Sequence, residues 1–200
     1  MYSGGYPDFS IEKPTLAIFQ PDWLKQKQQT GEWYGELKLT VQRGFLTTDC
    51  RGRSTYYRHT KPQPEITKTL HLPPSSVFDV GLFQHGKLKR FYVFDVLVLD
   101  GNNVKETCLQ RRRLLESIDD AHEMIWRPLY TDLWYTEYLQ MQKNSSMLIK
   151  KSSEQYGIAE KDLKGYVEGL VCKRKKSRLT FPSQTSFTGS SFFKLRLGLS

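Results

Sequence analysis

Hydrophobic and polar positions change their period several times along this chain. Over 91–99 the residues are aromatic and β-branched, and an Asp-Gly pair follows at Asp100-Gly101, which predicts a buried strand ending in a turn. A second strand is predicted over 77–83, with His85-Gly86-Lys87 as the turn between the two. Residues 33–48 alternate and carry Gly44 towards their end, predicting a β-hairpin or a sharply bent strand. Tyr56-Tyr57 starts another short strand. Segments 106–118, 133–143 and 148–156 place apolar residues at helical spacing, and a shorter helix is predicted over 22–29, where Asp22 follows Pro21. Strand chemistry returns over 166–172 and 192–197. Residues 1–14 read as a poorly ordered lead-in, 59–76 as a loop holding four of the nine prolines, and 174–191 as an exposed loop rich in Lys, Arg, Ser and Thr. Strands at both ends of a helical middle predict an α+β fold rather than a βαβ repeat. The expected body is one domain over 15–200 with a helical insert at about 104–160.

Composition narrows the class. At 200 residues, 38% hydrophobic and 13% aromatic, the chain can bury a sizeable core. A net charge of +9 favours polyanionic partners, nucleic acid or a nucleoside triphosphate, although solubility alone also accounts for such a charge. Cys50, Cys108 and Cys172 are far apart and odd in number, and His59, His71, His85 and His122 are scattered, so neither a zinc site nor a disulfide framework is suggested. No apolar run approaches a membrane span and no signal-peptide core is seen. The expected location is the cytoplasm, the host's if the chain is viral or phage-like.

Candidate chemistry begins at Lys38. On a strand, Glu36, Lys38 and Thr40 project to one face, so an acid and an amine share one surface. A lone Glu-x-Lys is most often a solvated strand pair. Downstream come the strand carrying Phe94, then Glu168-Gly-Leu-Val-Cys-Lys173, then Phe193-Lys194-Leu-Arg196, in which Lys194 and Arg196 project together. Two basic clusters, Arg111–Arg113 and 173–178, read equally as nucleic-acid backbone contacts or as solvated surface.

In that order, these segments resemble the nucleotidyltransferase domain of the ATP-dependent polynucleotide ligases, over about 33–197. The resemblance implies a ligase-type, ATP-grasp-like domain of antiparallel sheets flanked by helices. It implies that Lys38 attacks the α-phosphate of ATP, giving a lysyl-AMP and pyrophosphate. That step needs an uncharged amine, which an unperturbed lysine of pKa ~10.4 offers in about one molecule in 2,500 at pH 7. Nearby cations (Arg43, Arg51, Lys194, Arg196) or a bound metal ion would disfavour a further positive charge. By the same resemblance Glu36 reads the adenine amino group, and Arg43 and Arg51 address the ribose, the phosphate or the nick. Phe94 packs on the adenine face and Tyr92 extends that wall. Glu168 holds the divalent ion or the ribose, Lys173 belongs to the nucleotide site, and Lys194 and Arg196 grip the α-phosphate.

The chain departs from the pattern in two places. The first motif, Lys-x-Asp-Gly-x-Arg in the family, here reads Lys38-Leu-Thr40-Val41-Gln-Arg43. The family's Asp-Gly-Glu-Leu strand becomes Asp79-Val80-Gly81-Leu82, and Asp79 is the expected stand-in for the glutamate near the ribose and metal. The implied cofactors are ATP and Mg²⁺. The implied activity is minimal DNA-ligase action on nicked DNA in repair or replication. The alternatives are a catalytically degenerate nucleotide- or nucleic-acid-binding homologue, an RNA ligase, or a capping-type guanylyltransferase. Family DNA ligases continue into an OB-fold; none is expected before Ser200, so a partner protein is the expected source of one.

Overall fold

The computed structural model describes residues 15–16, 20–63, 70, 72–118, 124–179 and 192–197. The described chain divides into two compact units. Val41–Arg127 makes the body of the first, and Pro128–Ser177, with the strand segments before Val41 and after residue 191, that of the second. The 1–14 lead-in and most of the 174–191 loop lie outside the described residues, as does part of the 59–76 loop.

The second unit is a five-stranded sheet backed by helices. Its strands are β1 (Thr15–Leu16), β2 (Trp33–Leu39), β10 (Tyr130–Thr131), β11 (Val167–Arg174) and β12 (Phe192–Arg196), in the order β1-β12-β11-β2-β10. All pairs are antiparallel except the two-residue β1–β12 contact. Helix α1 (Pro21–Gln29) starts where proline costs nothing, at a first turn whose N–H groups lack helical partners, and Asp22 complements the dipole there. Helix α3 (Trp134–Gln142) lies against β2 so closely that a Cβ on Gly35 would stand 2.5 Å from the Trp134 Cβ. Trp33 and Trp134 meet the Phe193 ring at 5.1 and 5.5 Å between centroids in the buried core of this unit, and the exposed Trp23 meets it at 5.7 Å from outside. Helix α4 (Met147–Tyr156) is capped by Ser146 and stopped by Gly157 in the left-handed region. The short helix α5 (Glu160–Lys164), one turn with a single buried residue, Leu163, has too little periodicity to be seen in the sequence.

The first unit is a seven-stranded sheet. Strands β3 (Gln42–Thr48), β4 (Ser54–Arg58), β5 (Lys61–Pro62), β6 (Val77–His85), β7 (Leu88–Leu99) and β8 (Asn102–Asn103) run in the order β5-β4-β3-β6-β7-β8, and β9 (Ile125–Trp126) pairs with β7 in parallel. Its core joins Leu46, Tyr56, Phe78, Val80, Leu82, Phe91, Val93 and Val96 from four strands with Leu115 of helix α2 (Cys108–Ser117). A capping box opens α2: Gln110 Oε1 accepts from the Thr107 N–H at 2.9 Å.

The α+β class expected from the sequence is the one observed, but 33–48 is not a hairpin. β2 pairs with β10 and β11, β3 with β4 and β6, so the chain changes sheets at Thr40-Val41. The 104–160 stretch also holds two short strands, and these join different sheets.

Candidate nucleotidyltransferase site

The second unit gathers most of the expected chemistry on one sheet face. Paired residues across neighbouring strands share a face. Glu36 pairs with Val171, and Val171 with Lys194; Lys38 pairs with Gly169, and Gly169 with Arg196. Glu36, Lys38, Lys194 and Arg196 therefore project to the same side, with Arg196 two strands from Lys38, about 10 Å between backbones.

Glu168 reaches this face by an irregularity. The register steps from Val167↔Leu39 to Gly169↔Lys38, so Glu168 and Gly169 together oppose Lys38 in a β-bulge. In a regular strand Glu168 and Lys173, five apart, would point to opposite faces. The bulge adds one residue and brings both onto the polar face. Gly169 makes this possible: its φ is +141°, and a Cβ there would lie 1.9 Å from the Leu195 carbonyl oxygen.

The bulge joins Lys38 Nζ to Glu168 Oε2 in an ion pair, with the two side chains 22% and 31% exposed. Thr40 Oγ1 donates to Glu168 Oε1 at 3.1 Å, so the residue standing where the family has aspartate steadies this carboxylate without adding charge. Partial burial pushes the Glu168 carboxyl up, but the Lys38 and Thr40 hydrogen bonds and the charges of Lys38 and Arg196 hold it below its ordinary value. Deeper in the sheet, Lys173 Nζ pairs with Glu36 Oε2 at 2.6 Å, both side chains under a tenth exposed.

The remaining candidates belong to the first unit. Arg43 clamps Asp79 through two parallel hydrogen bonds, Nε to Oδ1 at 3.0 Å and a terminal nitrogen to Oδ2 at 2.7 Å. Burial alone would push the Arg43 guanidinium down, but Asp79, helped by Asp95, holds it above its ordinary value. Each Asp79 oxygen thus accepts one hydrogen bond from Arg43, as each Glu168 oxygen does from Lys38 or Thr40. Phe94, half-buried, meets Tyr92 edge-on at 5.4 Å, so the two rings do share a face. Val41 fills the space over Gly81: a Cβ at residue 81 would fall 2.2 Å from Val41 Cγ2. The two departures from the family pattern are thus packed against each other.

Arg51 is not brought to Arg43. It lies in the turn after β3, where the Asp49 carboxylate accepts from the Arg51 and Arg53 N–H groups at 2.9 Å each, while Arg43 stands near the start of that strand. Arg111 and Arg112 are 0% and 6% exposed, so the 111–113 cluster is mainly buried ion-pair chemistry, not an open basic face. In the 173–178 tract, Lys173, Arg174 and Lys175 are already paired with Glu36, Glu32 and Asp132. Among the described residues no group of three or more His, Cys, Asp and Glu side chains could hold a metal ion. Mg²⁺ commonly takes only one or two carboxylates together with substrate phosphates, and Glu168 is the partly exposed carboxylate on this face.

Several solved structures resemble this chain. The ligase domain of Mycobacterium tuberculosis LigD superposes with a TM-score of 0.50 at 17% identity, covering 82% of this chain and 54% of that one. The bacteriophage T7 ATP-dependent DNA ligase, in complex with ATP, gives 0.52 at 12% identity over 92% and 67% of the two chains. The structure designated Pmar-Lig_PreS3 gives 0.55 at 13% identity over 92% and 46%. This chain has the fold of the ATP-dependent DNA ligase domain. It spans about half the length of the LigD domain it matches. No protein-family profile matches the sequence, and no curated protein does. No helix among the described residues is long and apolar enough to cross a membrane.

Proposed function

We propose that the protein is an ATP-dependent nucleotidyltransferase of the DNA-ligase type, with Lys38 as its nucleophile. The observation that carries this reading is one sheet face holding Lys38, Glu168, Lys194 and Arg196, with the lysine already engaged by the glutamate. The Lys38 ammonium, paired with Glu168, first gives up a proton to solvent, and the neutral Nζ attacks the α-phosphorus of ATP. The N–P bond forms, the bond to the bridging oxygen breaks, pyrophosphate leaves with its electron pair, and the attacking nitrogen loses a second proton to solvent. Lys194 and Arg196 neutralise charge on the phosphates as it develops, where preorganised cations act most strongly. Glu168 holds Lys38 in place before reaction and would share Mg²⁺ with the triphosphate, an ion that offsets phosphate charge. Within the second unit Glu36 and Lys173 supply a buried polar pair for base recognition. Within the first unit Phe94 is the aromatic side chain proposed to stack on a base. AMP then passes to a 5′-phosphate, and nicked DNA is the proposed substrate.

Purified protein incubated with ATP and Mg²⁺ is expected to gain the mass of AMP, and Lys38→Ala to abolish the gain. The absence of any adduct across a range of metals and pH values would overturn the assignment. One observation favours a second reading, a binding module that has lost its chemistry: Thr40 and Val41 replace the Asp-Gly pair, and Val41 fills the space over Gly81. ATP binding without adduct formation would select it.

A further inference from the structure

Strand β7 contains a second bulge, at the aromatic residue rather than the carboxylate. Val80 pairs with Val93 and Asp79 with Asp95, so Phe94 and Asp95 together oppose Asp79. A bulge leaves one residue out of the ladder, and its direction must be set by something other than strand pairing. Here the neighbouring carboxylate is gripped from three sides. Arg111 Nε donates to Asp95 Oδ1 and an Arg111 terminal nitrogen donates to Oδ2, both at 2.8 Å. The Val96 N–H donates to the same Oδ1 at 2.9 Å. Arg111 is itself held by the Glu106 carbonyl at 2.8 Å and is wholly buried on helix α2. The backbone immediately after Phe94 is thereby tied to a helix, while the Phe94 ring is left partly open beside Tyr92.

We infer that Arg111 is a positioning residue for base recognition: its two-point grip on Asp95 sets the bulge and so aims the Phe94 ring. This deepens the proposed function, since it takes Phe94 as the base-stacking side chain. A lysine at 111 keeps the charge but offers no planar fork, so it cannot hold both oxygens in one geometry. Removing the charge altogether would leave the buried Asp95 carboxylate with only the Val96 N–H and the charge of Arg43 and invites unfolding, so the test is Arg111→Lys, which keeps the charge.

Two readouts separate this inference from the reading beneath it. Incorporation of 4-fluorophenylalanine and ¹⁹F NMR report the environment of Phe94 directly, with Phe94→Leu assigning the resonance. In Arg111→Lys that resonance is expected to shift or broaden; an unchanged resonance overturns the inference whether or not the protein is active. The second readout is a double-mutant cycle on ATP binding, measured by calorimetry. Phe94→Ala is expected to weaken ATP roughly tenfold, within the range for losing one base–aromatic stack, and Arg111→Lys to weaken it several-fold. Arg111→Lys is expected to add nothing in the Phe94→Ala background. A full additional loss there shows that Arg111 acts as general support and overturns the inference. A shifted resonance in a protein that never binds ATP overturns the proposed function and leaves Arg111 as the residue that aims Phe94.

Discussion

At the scale of single residues, the site depends on two features that differ in chemistry but meet at one point, Gly169 and the Lys38–Glu168 pair. Any L-residue at 169 meets the Leu195 carbonyl oxygen and must adopt a backbone conformation that only glycine holds easily. Gly169→Ala is expected to cost about 2 kcal/mol or more, a fall of roughly 5 °C in melting temperature, and to reduce AMP transfer because Glu168 loses its direction. A melt and adduct yield indistinguishable from the parent would contradict the role given to the bulge. The Glu168 carboxyl lies below its ordinary value of 4.5 in the folded state, so the stability it contributes is complete above that value and is lost as pH falls through the lower, folded-state one. Both partners are partly exposed, so the effect is screened and modest. Acid melts are expected to show a smaller pH dependence below about 4.5 in Glu168→Gln than in the parent.

At the scale of elements, the close approach of α3 to β2 holds the polar face rigid from behind. Trp134 stands over Gly35, one position from Glu36 and on the opposite face. Gly35→Ala forces its Cβ into the Trp134 Cβ and is expected to destabilise by about 1–3 kcal/mol through overpacking, read by chemical denaturation. If stability is unchanged, the helix is free to withdraw and does not fix the strand. Helix α2 shows how an element can be found correctly and its role misread. Its helical spacing is evident in the sequence, and so is the run Arg111–Arg113, which suggests an exposed basic stripe. Arg111 is instead buried against Asp95, because the helix turns that position towards a carboxylate on β7.

At the scale of the whole molecule, the net charge of +9 remains the best pointer to a polyanionic partner, even though several of its cations are spent internally. Binding of a nicked duplex is expected to weaken linearly in logarithm as salt concentration rises, through counterion release. Salt-insensitive binding, or none at low salt, would show that the charge serves solubility. Little of the site's logic required ligand information: the order of the motifs was legible, and the ligase-domain fold of the described chain agrees with it.

The sequence by itself determined the longer strands and helices and that Lys38, Glu168 and Lys194 lie on strands, because periodicity and turn residues act over a few neighbours. Tertiary structure decided the bulges at Glu168 and Phe94, the separation of β2 from β3 into different sheets, and the partnership of Arg111 with Asp95. Each of these depends on hydrogen-bond register or side-chain contact between distant residues. A single added residue in that register reverses which face a side chain occupies, and no local pattern records it.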